Sequence, residues 1–73
     1  MIDKLETFDR GAADALEHFQ KFNALRYSFP IGPRHVVLRP ALDGRRARGT
    51  WDKQVYTAAT IEAVIERIRE EIA

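Results

Sequence analysis

Apolar side chains recur at three- and four-residue spacing through Leu5, Phe8, Ala12, Leu16 and Phe19, with Ala15 and Phe22 alongside. Side chains so spaced share one stripe of an amphipathic helix, which predicts a helix over about residues 4 to 23. Asp3 followed by Glu6 matches a capping box that would start it near Lys4, and Asn23 falls near its C-terminus. Gly11 interrupts the pattern at a cost of about 1 kcal/mol relative to alanine. A later start, with Asp9 as N-cap and Lys4–Phe8 extended, therefore stays open.

The period then changes from helical to two. Leu25, Tyr27, Phe29 and Ile31 alternate with Arg26, Ser28 and Pro30, a short strand that Pro30 places at an edge or ends early. Gly32-Pro33 reads as a turn. Two further extended stretches, His35–Leu42 and Arg45–Trp51, flank Asp43-Gly44. An Asp-Gly pair in that setting predicts a hairpin with a type I′ turn, because both central residues of that turn need positive φ.

A two-residue turn sets the register: Leu42 faces Arg45, Pro40 faces Ala47, Leu38 faces Gly49 and Val36 faces Trp51. One face then carries Val36, Leu38, Pro40, Leu42, Ala47 and Trp51, interrupted by Arg45 at the tip. The other carries His35, Val37, Arg39, Ala41, Arg46, Arg48 and Thr50. A slip of one residue would exchange the faces, so burial of the apolar one pins the register. Arg39 opposes Arg48, a like-charge pair that is mildly destabilising in a sheet and has no structural motive.

Residues 54–56 either continue the strand past Trp51 or turn at Asp52-Lys53 into a short additional one. Thr57 or Thr60 caps a second helix, whose stripe is Ile61, Val64, Ile65, Ile68 and Ile72. The expected architecture is α+β: an N-terminal helix, an antiparallel sheet of two to three strands with an Asp-Gly hairpin, and a C-terminal helix, both helices on one face of the sheet.

At 73 residues and 45% hydrophobic content, the chain has room for one thin core, so residues 1–73 are expected to form a single small domain without repeats or linkers. It contains no cysteine and two distant histidines, which excludes a disulfide staple and argues against a closed zinc site. No apolar run approaches bilayer length, and Met1–Glu6 lacks a leader's apolar stretch. The expectation is a soluble, cytoplasmic protein without membrane contact.

Charge is segregated more than the net value of +1 suggests. Acids exceed bases by two from Met1 to Ala24, and again by two from Thr57 to the end. From Arg34 to Arg48, the arginines Arg34, Arg39, Arg45, Arg46 and Arg48 stand against Asp43 alone. Arginine suits this role chemically, since its planar fork makes paired hydrogen bonds to carboxylate or phosphate.

Catalytic signals are weak. The four glycines form no phosphate-cradling cluster, and no thiol is available. His18 with Asp14 at i−4 could form a general base, but no hydroxyl nucleophile is placed beside it, and a solvated surface histidine is the simpler reading. His35 reads as part of the basic ribbon or as a neutral edge residue. Glu62, Glu66 and Glu70 line one helix stripe, which reads as a solvated face, with Glu66–Arg69 as an ordinary surface pair. No enzymatic activity and no cofactor or metal are expected.

The arginine face remains as the candidate partner-binding surface, comprising Arg34, Arg39, Arg45, Arg46 and Arg48. A structural reading competes, in which Arg39, Arg46 and Arg48 pair with the acidic helices or simply keep a sheet surface soluble. Helix–sheet–helix order invites comparison with double-stranded-RNA-binding domains. Those open their last helix with a Lys-Lys-x-Ala-Lys-type run, whereas this chain has Thr60-Ile61-Glu62-Ala63. In size and make-up the whole chain resembles the small inhibitors and adaptors of phages and mobile elements, anti-CRISPR proteins among them. That resemblance implies a non-enzymatic protein that docks on a nucleic-acid-handling complex, with the arginine ribbon meeting an acidic protein surface. The alternative is a regulator that binds DNA or RNA directly through the same ribbon. Either a monomer or a homodimer paired at a sheet edge is compatible with the sequence.

Overall fold

The computed structural model describes residues 3–73; Met1 and Ile2, read above as the start of a chain without a leader, lie outside the described residues. Helix α1 (Lys4–Phe22) starts with Asp3 as N-cap, whose carboxylate Oδ1 accepts from the Leu5 N–H at 3.1 Å. The reciprocal half of a capping box is not used, because the Glu6 carboxylate pairs with Arg10 one turn on, at 3.1 Å. Asn23 ends the helix in the left-handed region at φ 50°, the conformation that asparagine tolerates better than most residues. The helix thus runs through Gly11, and the alternative start at Asp9 does not occur.

Four strands follow, one more than the upper expectation: β1 (Tyr27–Ile31), β2 (Arg34–Arg39), β3 (Ala47–Trp51) and β4 (Gln54–Ala58). They form a single antiparallel sheet in the order β1-β2-β3-β4. Pro30 lies inside β1 opposite His35, which β1 accommodates because it is an edge strand. Helix α2 (Ile61–Ile72) closes the chain, capped by Thr60, whose hydroxyl accepts from the Ala63 N–H at 3.2 Å.

Both helices lie over the same face of the sheet, α1 against β1 and α2 against β3 and β4. Between them the core contains Phe8, Ala12 and Ala15 from α1, Phe29, Ile31, Val36, Leu38, Ala47 and Ala58 from the sheet, and Ile61, Val64, Ile65 and Ile68 from α2. Gly49 permits the close approach of α2, since a Cβ there would meet Val64 at 2.6 Å and Ile68 at 2.7 Å. Trp51, assigned to the core from sequence, is half-buried and packs against its rim. Arg69 Nε donates to Asp9 Oδ1 at 3.0 Å and ties the two helices together, in place of the expected pair with Glu66. Arg67 donates to the Thr57 carbonyl at 3.0 Å and lies over the Tyr56 ring. Among the described residues no helix is long and apolar enough to cross a membrane.

Each reversal in the sheet has a different dihedral signature. Gly32-Pro33 places positive φ at its first residue only, the pattern of a type II′ turn. Asp52 and Lys53 both take positive φ, 51° and 67°, and join Trp51 to its partner Gln54, which is the type I′ pattern. That turn had been expected at Asp43-Gly44. There only Gly44 has positive φ, 70°, and the Arg45 N–H donates to the Leu42 carbonyl at 2.8 Å. These φ signs are those of a type II turn.

Pairing between β2 and β3 keeps the expected register, with Val37 opposite Thr50, Leu38 opposite Gly49 and Arg39 opposite Arg48. The ladder stops at that last pair, and residues 40–46 form a connection rather than the ends of two strands. Pro40 explains the early end, because it has no N–H to donate to a neighbouring strand. Released from the ladder, the turn at Asp43-Gly44 need not match strand twist, and the requirement for a primed turn disappears. Leu42, expected on the buried face, is consequently half exposed at 50%.

Candidate interaction surface

The helices cover one face of the sheet and leave the other open. On the open face, Ser28, Val37, Thr50 and Val55 form a row across all four strands, and Arg39, Arg48 and Thr57 form the next. Side chains alternate between faces along a strand, so the tyrosines, phenylalanine and tryptophan of the sheet, Tyr27, Phe29, Trp51 and Tyr56, share the helix side with Val36 and Leu38. The open face therefore offers arginine, threonine and valine, and its one aromatic ring among the described residues is that of exposed His35, near the start of β2 and away from the arginine row.

At the end of the sheet where β2 leaves and β3 enters, the arginine row meets the 40–46 connection. A groove of about 540 Å³ opens there, lined by Arg39, Arg45, Arg46 and Arg48 together with Leu25, Pro40, Leu42 and Thr57. Its size falls within the range of about 300–1,000 Å³ typical of ligand clefts. The four arginines are exposed, and among the described residues none makes an ion pair. The ion pairs that do form use Arg10, Lys21, Arg34 and Arg69. The acidic helices, named above as possible partners for this face, lie behind the sheet and pair with other residues.

Arg34 is not part of this cluster. It opens β2, whereas Arg39 ends it, so the two are separated by roughly 17 Å along an extended strand. Its guanidinium pairs with Asp52 of the β3–β4 turn at 2.6 Å, bracing the opposite end of the sheet. The sequence pattern thus names five arginines of one segment, and the structure gathers four of them.

Two groove residues were not apparent from sequence as surface features. Leu25 was counted in the alternation of β1, yet it precedes that strand and is 63% exposed. Leu42 was counted in a strand that Pro40 ends. The available signal was Pro40 itself, since a residue past a ladder-breaking proline has no obligation to follow the strand's alternation. His18 is exposed and packs at a tilt against Phe22 and Tyr27, at 5.0 and 4.9 Å between centroids. It packs there beside an exposed Phe22 (67%).

Neither a family model, nor a curated protein, nor a solved structure matches this chain.

Proposed function

We propose that this protein acts by binding, as a small inhibitor or adaptor of the anti-CRISPR kind that docks on an acidic protein surface of a larger complex. The observation that supports this reading is the groove in which four arginines converge with no carboxylate partner among the described residues. Like charges brought together on a fold cost stability, and Arg39 directly opposite Arg48 is the clearest case. A partner that neutralises them supplies the compensation that the fold itself lacks.

A protein surface fits this groove better than a nucleic acid does. Nucleic-acid binding rests on many phosphate contacts, with stacking on aromatic rings for single strands. Here the net charge is +1, the groove has no aromatic side chain in its lining among the described residues, and Leu25, Pro40 and Leu42 share it with the guanidinium groups. Arginines around an apolar centre are the usual make-up of protein–protein hot spots.

The test is capture of partners by the wild-type protein and by a variant carrying Arg39→Glu, Arg46→Glu and Arg48→Glu. A partner bound by the first and lost with the second, from a variant whose circular dichroism is unchanged, is the expected outcome. Equal capture by both removes the arginine groove from the function. Labelled duplex DNA or single-stranded RNA that binds wild-type protein in a steeply salt-dependent way would transfer the site to a nucleic-acid partner.

A further inference from the structure

The groove's apolar lining has its own consequence. Leu25 and Leu42 are 63% and 50% exposed, and both line the same cleft as Pro40 and the four arginines. Isolated exposed leucines are ordinary on a protein surface. Two that converge from separate segments, one before β1 and one in the 40–46 connection, form a binding feature when they share a concave site. Water held against such a surface is released when an apolar side chain replaces it, at roughly 25 cal/mol per Å² covered.

We infer that the groove takes a short peptide segment of a partner protein in which acidic residues flank a large apolar side chain, a leucine or a phenylalanine. The apolar side chain sits between Leu25, Pro40 and Leu42. The carboxylates reach Arg39 and Arg48, whose Cα positions face one another across the ladder, and Arg45 on the connection. Charge complementarity selects acidic residues. The leucines select against a purely ionic ligand, because a phosphate backbone or an all-acidic stretch would leave that apolar surface wet. The inference rests on the protein-binding reading above and narrows it from an acidic surface to a mixed acidic and apolar segment.

Fluorescence anisotropy with three labelled probes tests it: a peptide alternating glutamate with leucine, the same peptide with every leucine replaced by serine, and a single-stranded DNA oligonucleotide. The glutamate–leucine peptide should bind wild-type protein about tenfold more tightly than the glutamate–serine peptide, a difference that the apolar area of one or two leucines can supply. Leu25→Ser and Leu42→Ser should each weaken the glutamate–leucine peptide by about fivefold to tenfold and leave the glutamate–serine peptide unchanged. Equal affinity for the two peptides on wild-type protein overturns the inference even if a leucine variant fails to fold. It leaves the arginine-dependent capture of an acidic partner standing. Failure of the glutamate–leucine peptide to bind at all also overturns it, and capture with the triple arginine variant then decides the broader reading separately. Tighter binding of the oligonucleotide than of either peptide overturns both.

Discussion

Glycine in the middle of a helix costs about 1 kcal/mol relative to alanine, and Gly11 occupies such a position in α1. Its reason lies across the core, where a Cβ at this position would stand 2.3 Å from the Phe29 ring. Gly11→Ala should therefore destabilise the protein by about 1–3 kcal/mol in urea unfolding, reversing the sign that helix propensity predicts. Arg48 offers a second reversal. Replacing it by glutamate turns a like-charge pair with Arg39 into an opposite one, so Arg48→Glu should raise stability by about 0.5 kcal/mol while weakening partner capture. A loss of stability would show that the arginine is retained for folding instead, and a gain in capture would remove it from the binding site. Tyr56 reports on the rim of the core. Burial, with the Glu71 carboxylate adding to it and the Arg67 guanidinium opposing, raises its pKa above the ordinary 10.0. The native fold thus holds the phenolic proton more tightly than the unfolded chain does. That contribution is complete below the ordinary tyrosine value and is lost as pH rises through the raised one. Alkaline absorbance titration should show a late tyrosine component that Tyr56→Phe removes.

At the scale of elements, caps and stripes were legible in the sequence because they depend on neighbours within one turn. Asp3 and Thr60 cap the helices through side-chain oxygens that reach the nearest free N–H groups, and Phe8, Val64 and Ile68 are buried as their spacing requires. The turns were less legible. Asp-Gly is the better type I′ pair, yet that conformation is adopted at Asp52-Lys53, because there both strands stay paired up to the reversal. Lys53 has no intrinsic preference for φ 67°, and left-handed backbone costs a non-glycine residue about 1–2 kcal/mol. Lys53→Gly should accordingly stabilise the fold by about 0.5–1 kcal/mol net of the extra freedom glycine gains when unfolded, read as a shift in the urea midpoint. No change there would mean that the turn is not strained in solution.

Across the whole molecule the charges separate by layer. Acidic residues predominate on the helices that cover one face of the sheet, while Arg39, Arg45, Arg46 and Arg48 gather at one end of the sheet. Such a polarised molecule approaches an acidic partner in a preferred orientation, an effect that acts on association rate and is screened by salt. The triple variant Arg39→Glu, Arg46→Glu, Arg48→Glu should therefore slow association and reduce its salt dependence, measured by stopped-flow or surface-based kinetics once a partner is captured. Its thermal unfolding temperature should match or exceed the wild type's, because all three side chains are exposed and free of ion pairs among the described residues. A large fall in that temperature would assign these arginines to the fold and remove them from the site.

Periodicity and helix capping were readable along the chain: two capped helices, the register of β2 with β3, the face on which Val36 and Leu38 lie, and the exposure of Arg39 and Arg48. Side-chain alternation and i,i+4 spacing are properties of the chain alone, so they carry over unchanged into the fold. The tertiary structure decided where pairing stops. The end of the ladder at Arg39–Arg48 moved Leu42 out of the core and made a groove from residues of three separate segments, while the β3–β4 turn at the opposite end set Asp52 beside Arg34. Concavity of that kind depends on where the strands end and what lies beside them in space, which no repeat along the chain encodes.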